Sequence, residues 1–466
     1  MLSNFSSYLP SSLLANAVSI PSSSKTMPYQ CHSDQDRQEM LKSMNMKSVD
    51  DLFAHIPDQM KIKGTLRLPE AKSEFELISD LKKTCKRTQL SPTSLPSSEL
   101  EPTTTTSLLP SITSSPVLSS SLPTPPTPPN QICLLTGMEI SNASMYDGPT
   151  STAEAIALAC RQTKRRNVLL AGNLHPSYAN VAKTYSKYSD KSEITHLPVD
   201  LDNSSSSHLI DSIDRSTSCV VVQYPGVTGA IPDLAAISKK CKETGTFLIV
   251  AVNELLSLGS LESPGKYADI VVGDGGSLAG GVSFGGPSVG FFATKKKFLR
   301  QLPGRLVGET KDKDGKRCFA LTVATREQHI KREKATSNIC TSAGIMALSL
   351  SIHLSMLGEH GFKSLAEHNH QKCCYLVDRL KGDLILSHLG LKVVNDSFFN
   401  EVLVKLPNGV SAKEVVERLA RRDVLAGCPM SRLFGDDYDN YLLLAVTEKT
   451  SESDVNALVS ALPTAF

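Results

Sequence analysis

No run of about 18 or more apolar residues occurs anywhere in the 466-residue chain, so no segment presents itself as a membrane-spanning helix. Cys-x-x-Cys pairs are also missing, although there are eleven cysteines, and the adjacent Cys373 and Cys374 are poorly placed to bridge each other. That scatter fits reduced thiols in an intracellular compartment better than a disulfide framework. Neither sign of charge dominates: the formal net charge is +2, which supplies no basic face, and neither nucleic acid nor a membrane is expected as a partner. Acidic residues are absent from the first 26 positions, where Ser and Leu abound and Lys25 is the sole charged side chain. Organellar presequences are acid-poor and Ser-rich in this way, but they are also Arg-rich and amphipathic. Residues 1–30 therefore read as a disordered leader or a weak transit peptide, with a start at Met27 as a third reading. A transit peptide implies the mitochondrial matrix in a eukaryote; otherwise the cytoplasm is expected. The most specific gap comes last: no lysine lies between Lys266 and Lys295, a span that holds a β-branched strand, a glycine-rich crossing and a second apolar strand.

What is present divides the chain into five parts. With 40% hydrophobic residues, it can bury two or three cores. Residues 31–87 read as an N-terminal arm of helical pieces: Ser48 and Asp51 have capping-box spacing, and Pro57 and Pro69 interrupt the pattern. Residues 88–130 are dominated by Ser, Thr and Pro, which cannot bury enough apolar surface to offset ordering entropy, and are expected to be disordered. From 131 to 335 short runs such as NVLLAG, SCVVVQYP, TFLIVAV and DIVVGD alternate with amphipathic spacers. Near-continuous apolar strands separated by helices predict a parallel-rich sheet covered on both faces, hence a large α/β domain. Residues 336–466 read as a long connecting helix starting near Thr336, then a small α+β domain built from EVLVKLP, SAKEVVERLARRD, YLLLAVTE and SESDVNALVSAL.

Four groups of residues could carry chemistry. NASMYDGPT places Ser144, Tyr146 and Asp147 just before a helix N-terminus, where backbone donors favour an anion; a plain helix cap is the alternative. TREQHIKREKATSNIC gathers Arg326, His329, Arg332, Lys334, Thr336 and Asn338, able to hold a carboxylate, a phosphate or a partner helix, or simply to form a solvated face. GDGGSLAGGVSFGGPSVG could cradle a phosphate, but it lacks the Walker ending and the dinucleotide spacing, so glycines permitting tight crossings explain it equally well. His360, His368, His370, Cys373 and Cys374 form a loose set with only His370 and Cys374 at i, i+4, and no metal is expected there. No Ser-His-Asp or Cys-His pairing follows from local spacing.

SVDDLFAHIP, LTGMEISNASMYDG, ESPGKYADIVVGD, SFGGPSVGFFA, PGRLVGET and TREQHIKREKATSNICT together resemble the glycine cleavage system P-protein family, and the chain's length and small C-terminal domain resemble its alpha-type subunit. The resemblance covers residues 31–87 and 131–466. It implies the fold of aspartate-aminotransferase-like (fold type I) transferases dependent on pyridoxal phosphate (PLP). In that class, a turn placed like the 273–290 crossing normally carries the PLP-binding lysine, and a carboxylate at a strand end partners the pyridine nitrogen. Here the strand-end residue is Asn253, with Asp274 and Asp269 as the nearby acids. The resemblance accordingly implies that PLP belongs to a beta subunit, in an α2β2 assembly whose active site lies across the interface. Ser144, Tyr146, Asp147, Arg326, His329 and Asn338 would line that interface or site. Glycine would be decarboxylated there, and its aminomethyl group passed to the lipoyl arm of H-protein. One departure stands out: a family segment containing Tyr-Thr-Pro-Tyr-Gln-Pro-Glu is replaced by the Ser/Thr/Pro tract. That loss leaves two readings of residues 88–130 open, non-coding sequence read as coding or a degenerate, non-catalytic homologue, and keeps the latter as an alternative. A stand-alone PLP enzyme of transaminase type is the other.

Overall fold

The computed structural model describes residues 34–60, 128–187, 192–201, 206–280, 285–322, 327–340 and 343–466. The leader, Pro69, most of the Ser/Thr/Pro tract and Arg326 lie outside these described residues. In the arm, helix α1 (Asp34–Ser43) is followed by 3-10 turns at Val49–Phe53 and Asp58–Met60. The Ser48 backbone N–H donates to the Asp51 carboxylate at 2.9 Å, the capping contact its spacing predicts.

The second unit is built on a seven-stranded sheet of order β1-β7-β6-β5-β4-β2-β3. Its strands are β1 (Ile140–Ser141), β2 (Asn167–Leu170), β3 (Glu193–His196), β4 (Thr217–Gln223), β5 (Phe247–Val252), β6 (Ile270–Asp274) and β7 (Gly290–Thr294). Strands β2 to β6 pair in parallel, while β7 runs antiparallel to β6 and β1. Every residue of β4 and β7 is buried, which is why their centres, CVVV and FFA, read as continuous apolar stretches rather than alternations. Helices α2 (Pro128–Thr136), α3 (Gly148–Thr163), α4 (Pro176–Lys187), α5 (Ser207–Ser212) and α6 (Leu234–Thr244) cover the sheet. Residues of α3 and α4 join one core with Val168, Ile249 and Phe292; residues of α2, α5 and α6 join the other with Val220, Val250 and Val271.

Two boundaries move from their expected places. Helix α2 starts at Pro128, inside the tract taken to end at 130; two prolines in a first turn cost no helical hydrogen bond. The connecting helix α7 spans Gly344–Gly382 rather than starting near Thr336. The intervening backbone is committed elsewhere: Ile339 N–H donates to Ser337 Oγ at 3.1 Å and Cys340 N–H to Tyr146 Oη at 3.1 Å, which competes with helix formation. A hairpin of β8 (Leu306–Lys311) and β9 (Arg317–Thr322) also appears, where sequence reading foresaw no strands. Helix α7 kinks at Gly358, whose φ of +61° suits a residue without Cβ. Before the kink it packs Ala347, Leu350 and Leu354 on the large core; its last turns place Cys373, Leu376 and Leu380 in the small-domain core. That domain adds β10 (Lys392–Val393), β11 (Glu401–Lys405), β12 (Cys428–Pro429) and β13 (Tyr441–Ala445), in sheet order β10-β11-β13-β12, with α8 (Ala412–Ala420) and α9 (Glu452–Ala461).

Candidate functional site

In an open parallel sheet, ligands enter at the carboxyl ends of the strands, where connecting loops and helix N-termini converge. Here that rim is formed by Asn253 after β5, Asp274 closing β6, and the start of α3. Asp147 is the N-cap of α3: its Oδ1 accepts from Thr150 N–H at 2.7 Å, and Ser151 Oγ donates to its carbonyl at 2.7 Å. Gly148 N–H donates to Asp274 Oδ2 at 3.1 Å. The other Asp274 oxygen accepts from Gly276 N–H at 2.8 Å and Ser288 Oγ at 2.5 Å. Burial pushes this carboxyl above its ordinary range, against the pull of those donors. The donors that make a helix start an anion site are thus already engaged by two of the protein's own carboxylates.

Beside them, Tyr178 on α4 is 2% exposed and donates from Oη to Asn253 Oδ1 at 3.2 Å. A Cβ added to Gly148 would lie 2.0 Å from that oxygen, so glycine is required there for the ring to fit. Asp269 precedes β6 at its other end, binding Lys295 Nζ at 2.7 Å and Leu248 N–H at 3.2 Å, and takes no part in the rim. The crossing's glycines serve close packing: a Cβ on Gly273 would meet Val252 O at 2.0 Å, and one on Gly290 would meet Asp147 O at 2.3 Å. A PLP molecule finds no fit in this crevice. No lysine stands at the crossing, Asn253 is neutral, the helix start is charged like a phosphate, and the Tyr178 phenol ring fills the space between.

A second feature lies on the α3/α4 side. A cleft of about 780 Å³ is lined by Glu154, Arg161 and Lys164 of α3, Tyr185 of α4, and Ser337 and Asn338. Glu154 is 4% exposed, and its carboxyl is raised by burial, opposed by a hydrogen bond with Ser337 and by the Arg161 charge. Arg161 Nη2 is buried without a hydrogen-bond partner among the described residues. Tyr146 ties this region to the crevice, because its hydroxyl holds the Cys340 N–H.

The residues singled out by sequence therefore separate. Tyr146, Asp147 and Asn338 cluster around the start of α3 and the cleft. Ser144 is 3% exposed, and its Oγ has no hydrogen-bond partner among the described residues. His329 is largely exposed, 3.6 Å from Glu327, while Arg332 and Lys334 are exposed and Thr336 lines the cleft. Cys374 and His370 do meet, at 3.5 Å, but His370 Nδ1 is 2.9 Å from the Phe399 carbonyl, and among the described residues no three acids, histidines or cysteines gather as a metal set. Sequence reading passed over Tyr178, Glu154 and Arg161. The lone acid within the apolar stretch STAEAIALA was a usable signal; nothing local marks Tyr178.

Comparison with known proteins bears on this geometry. The family model described as glycine cleavage system P-protein matches residues 27–118 and 130–462. A Maricaulis maris protein named probable glycine dehydrogenase (decarboxylating) subunit 1 is 40% identical over 458 residues, spanning 94% of this chain and 99% of that one. A Methylocella silvestris protein of the same name is 42% identical over 452 residues, with the same coverage. Among solved structures, glycine decarboxylase (P-protein) of the glycine cleavage system in inhibitor-bound form matches with a TM-score of 0.77 at 33% identity, covering 94% of this chain and 100% of that one. A C-DES mutant with glycine covalently linked to its PLP cofactor shares the fold alone, at 15% identity and a TM-score of 0.52, covering 72% of this chain and 84% of that one. The architecture is that of PLP-dependent fold type I enzymes, and the chain belongs to the glycine cleavage system P-protein family.

Proposed function

We propose that this chain is the alpha subunit of a glycine decarboxylase, and that it holds no PLP itself but completes the active site of a PLP-bearing beta subunit in an α2β2 assembly. The observation that carries the reading is the self-filled crevice: in a P-protein family member, the ring space is taken by Tyr178 and the helix start by Asp147 and Asp274. The relatives' designation as subunit 1 supports a second subunit. PLP on that partner supplies the electron sink for breaking the bond between glycine's Cα and its carboxylate. The aminomethyl group then goes to the lipoyl group of H-protein.

Within this reading the chain's own residues shape and orient. Tyr146 fixes the Cys340 peptide, Asp147 fixes the start of α3, and Arg161 and Asn338 line the open cleft. The exposed His329 joins the surface offered to the partner. The test is borohydride reduction of the co-expressed complex followed by peptide mapping. Pyridoxyl-lysine is expected on the partner alone; a modified lysine in this chain would refute the assignment.

A further inference from the structure

Tyr178 has no assigned role in the reaction, yet it is among the largest fully buried side chains. It sits in the first turn of α4 and reaches to the first residue of α3, with its hydroxyl on Asn253 at 3.2 Å and the His175 ring edge-on at 6.4 Å between centroids. Its neighbours thus include three rim segments: the loop after β2, the end of β5 and the start of α3. A buried aromatic wedged among the rim elements does more than fill volume, because the start of α3 and the end of β5 both meet its hydroxyl-bearing edge.

We propose that Tyr178 is an internal surrogate ligand, a positioning residue whose phenol ring closes the crevice and sets the spacing between α3 and the end of β5. That spacing reaches the cleft through one traceable connection: the start of α3 follows Tyr146, whose hydroxyl receives the Cys340 N–H at 3.1 Å. The chemistry of the opened crevice follows as well. A small neutral phenol replaces what is removed. A phosphorylated pyridine does not, because the Asp147 and Asp274 carboxylates engage the donors a phosphate needs and add like charge.

The experiment needs only the full chain: failure of the p-cresol and labelling effects would overturn this proposal alone, whereas PLP binding by wild type would overturn the decarboxylase reading as well. Tyr178→Ala is compared with wild type and Tyr178→Phe by thermal unfolding, calorimetric titration with p-cresol or PLP, and mass-resolved maleimide labelling of Cys340, which is exposed. The alanine variant is expected to melt lower, to bind one p-cresol with a Kd on the order of 1 mM, and to regain part of its melting temperature in its presence. Cys340 labelling should accelerate in that variant and slow again with p-cresol. PLP should bind none of the three proteins, and Tyr178→Phe, which keeps the ring, should label like wild type and ignore p-cresol. A folded alanine variant blind to p-cresol, unchanged Cys340 labelling, or PLP binding by any of the three would overturn the proposal. Should the alanine variant not fold, the phenylalanine variant decides: near-wild-type melting and labelling uphold ring filling, and collapse of that variant too refutes it.

Discussion

Glu254 stands one residue beyond Asn253, 5% exposed, with Oε1 accepting the Leu256 N–H at 3.0 Å. Burial pushes its carboxyl up to about 8, and Glu401 and Glu448 add to the shift. A carboxyl whose pKa is higher in the folded than in the unfolded chain holds its proton more tightly when folded. Its contribution to stability is complete below the ordinary value of 4.5 and is lost as pH rises through about 8. Each pH unit in that window is worth up to about 1.4 kcal/mol from this one group. Glu254→Gln keeps an acceptor for Leu256 and removes the titration. Urea unfolding of the variant is therefore expected to vary less with pH between about 5 and 8 than wild type, and to show greater stability at the alkaline end. Parallel curves for the two proteins would mean that Glu254 is hydrated. At this scale legibility was uneven. Asn253 and the lysine-free crossing were visible because the chemistry at those places demands particular residue types. Tyr178 and Glu254 were not, because what defines them is burial by chain segments distant in sequence.

Helix α3 shows what a single element contributes. Its N-cap, its proline in the first turn and its buried small residues all sit where DGPTSTAEAIALA places them, and its C-cap Lys164 is left-handed with φ +59°. Asp147→Ala removes the acceptor for Thr150 N–H and is expected to cost about 1 kcal/mol in chemical denaturation, whereas Asp147→Asn preserves the cap and should cost much less. If the asparagine variant is as stable as wild type yet lowers glycine-dependent carbon dioxide exchange in the reconstituted complex, the carboxylate charge acts beyond capping. Equal exchange would leave Asp147 as a cap. Elements with a strong period were readable in this way: β2, β4, β5, β6, α3, α6, α8 and α9 all fall on their expected stretches. The β8–β9 hairpin was hidden by its tip KDKDGKR and by solvent exposure, which strips alternation of its apolar face. Helix α7 starts later than its sequence suggests because a local bond to Ser337 and a tertiary one to Tyr146 decide the 337–340 backbone, and no local propensity records the second.

For the molecule as a whole, the α3/α4 side differs from the opposite side of the sheet. The opposite side packs α2, α6 and the first half of α7 around one large core and has a smaller cleft, of about 370 Å³, between α5 and α6. The α3/α4 side carries the cleft of about 780 Å³ and packs the base of β8 through Leu306, while Tyr185 of α4, Val307 and Phe319 of the hairpin and Ile330 after it are each 40–49% exposed. Pairing places Glu309 opposite Phe319 and Val307 opposite Leu321, so Val307 and Phe319 share one face of the hairpin, and a two-stranded ribbon gains stability when such a face is covered. The cleft also holds Arg161, whose charge acts on Glu154 and whose Nη2 has no hydrogen-bond partner among the described residues, so a second carboxylate from a covering surface would complement it. If subunit 2 covers this side, Arg161→Glu and Ile330→Asp should each weaken association by about tenfold or more, about 1.4 kcal/mol. Lys381→Glu, on the exposed last turn of α7, should change nothing. Added salt should weaken wild-type association and have less effect on Arg161→Glu, because the charge contact is gone. Sedimentation of the co-expressed subunits measures the association, and melting of each isolated variant shows whether the fold survived. If folded Arg161→Glu and Ile330→Asp chains bind subunit 2 as wild type does, the covering surface lies elsewhere, and Glu154 is the counter-charge on which the Arg161 guanidinium relies.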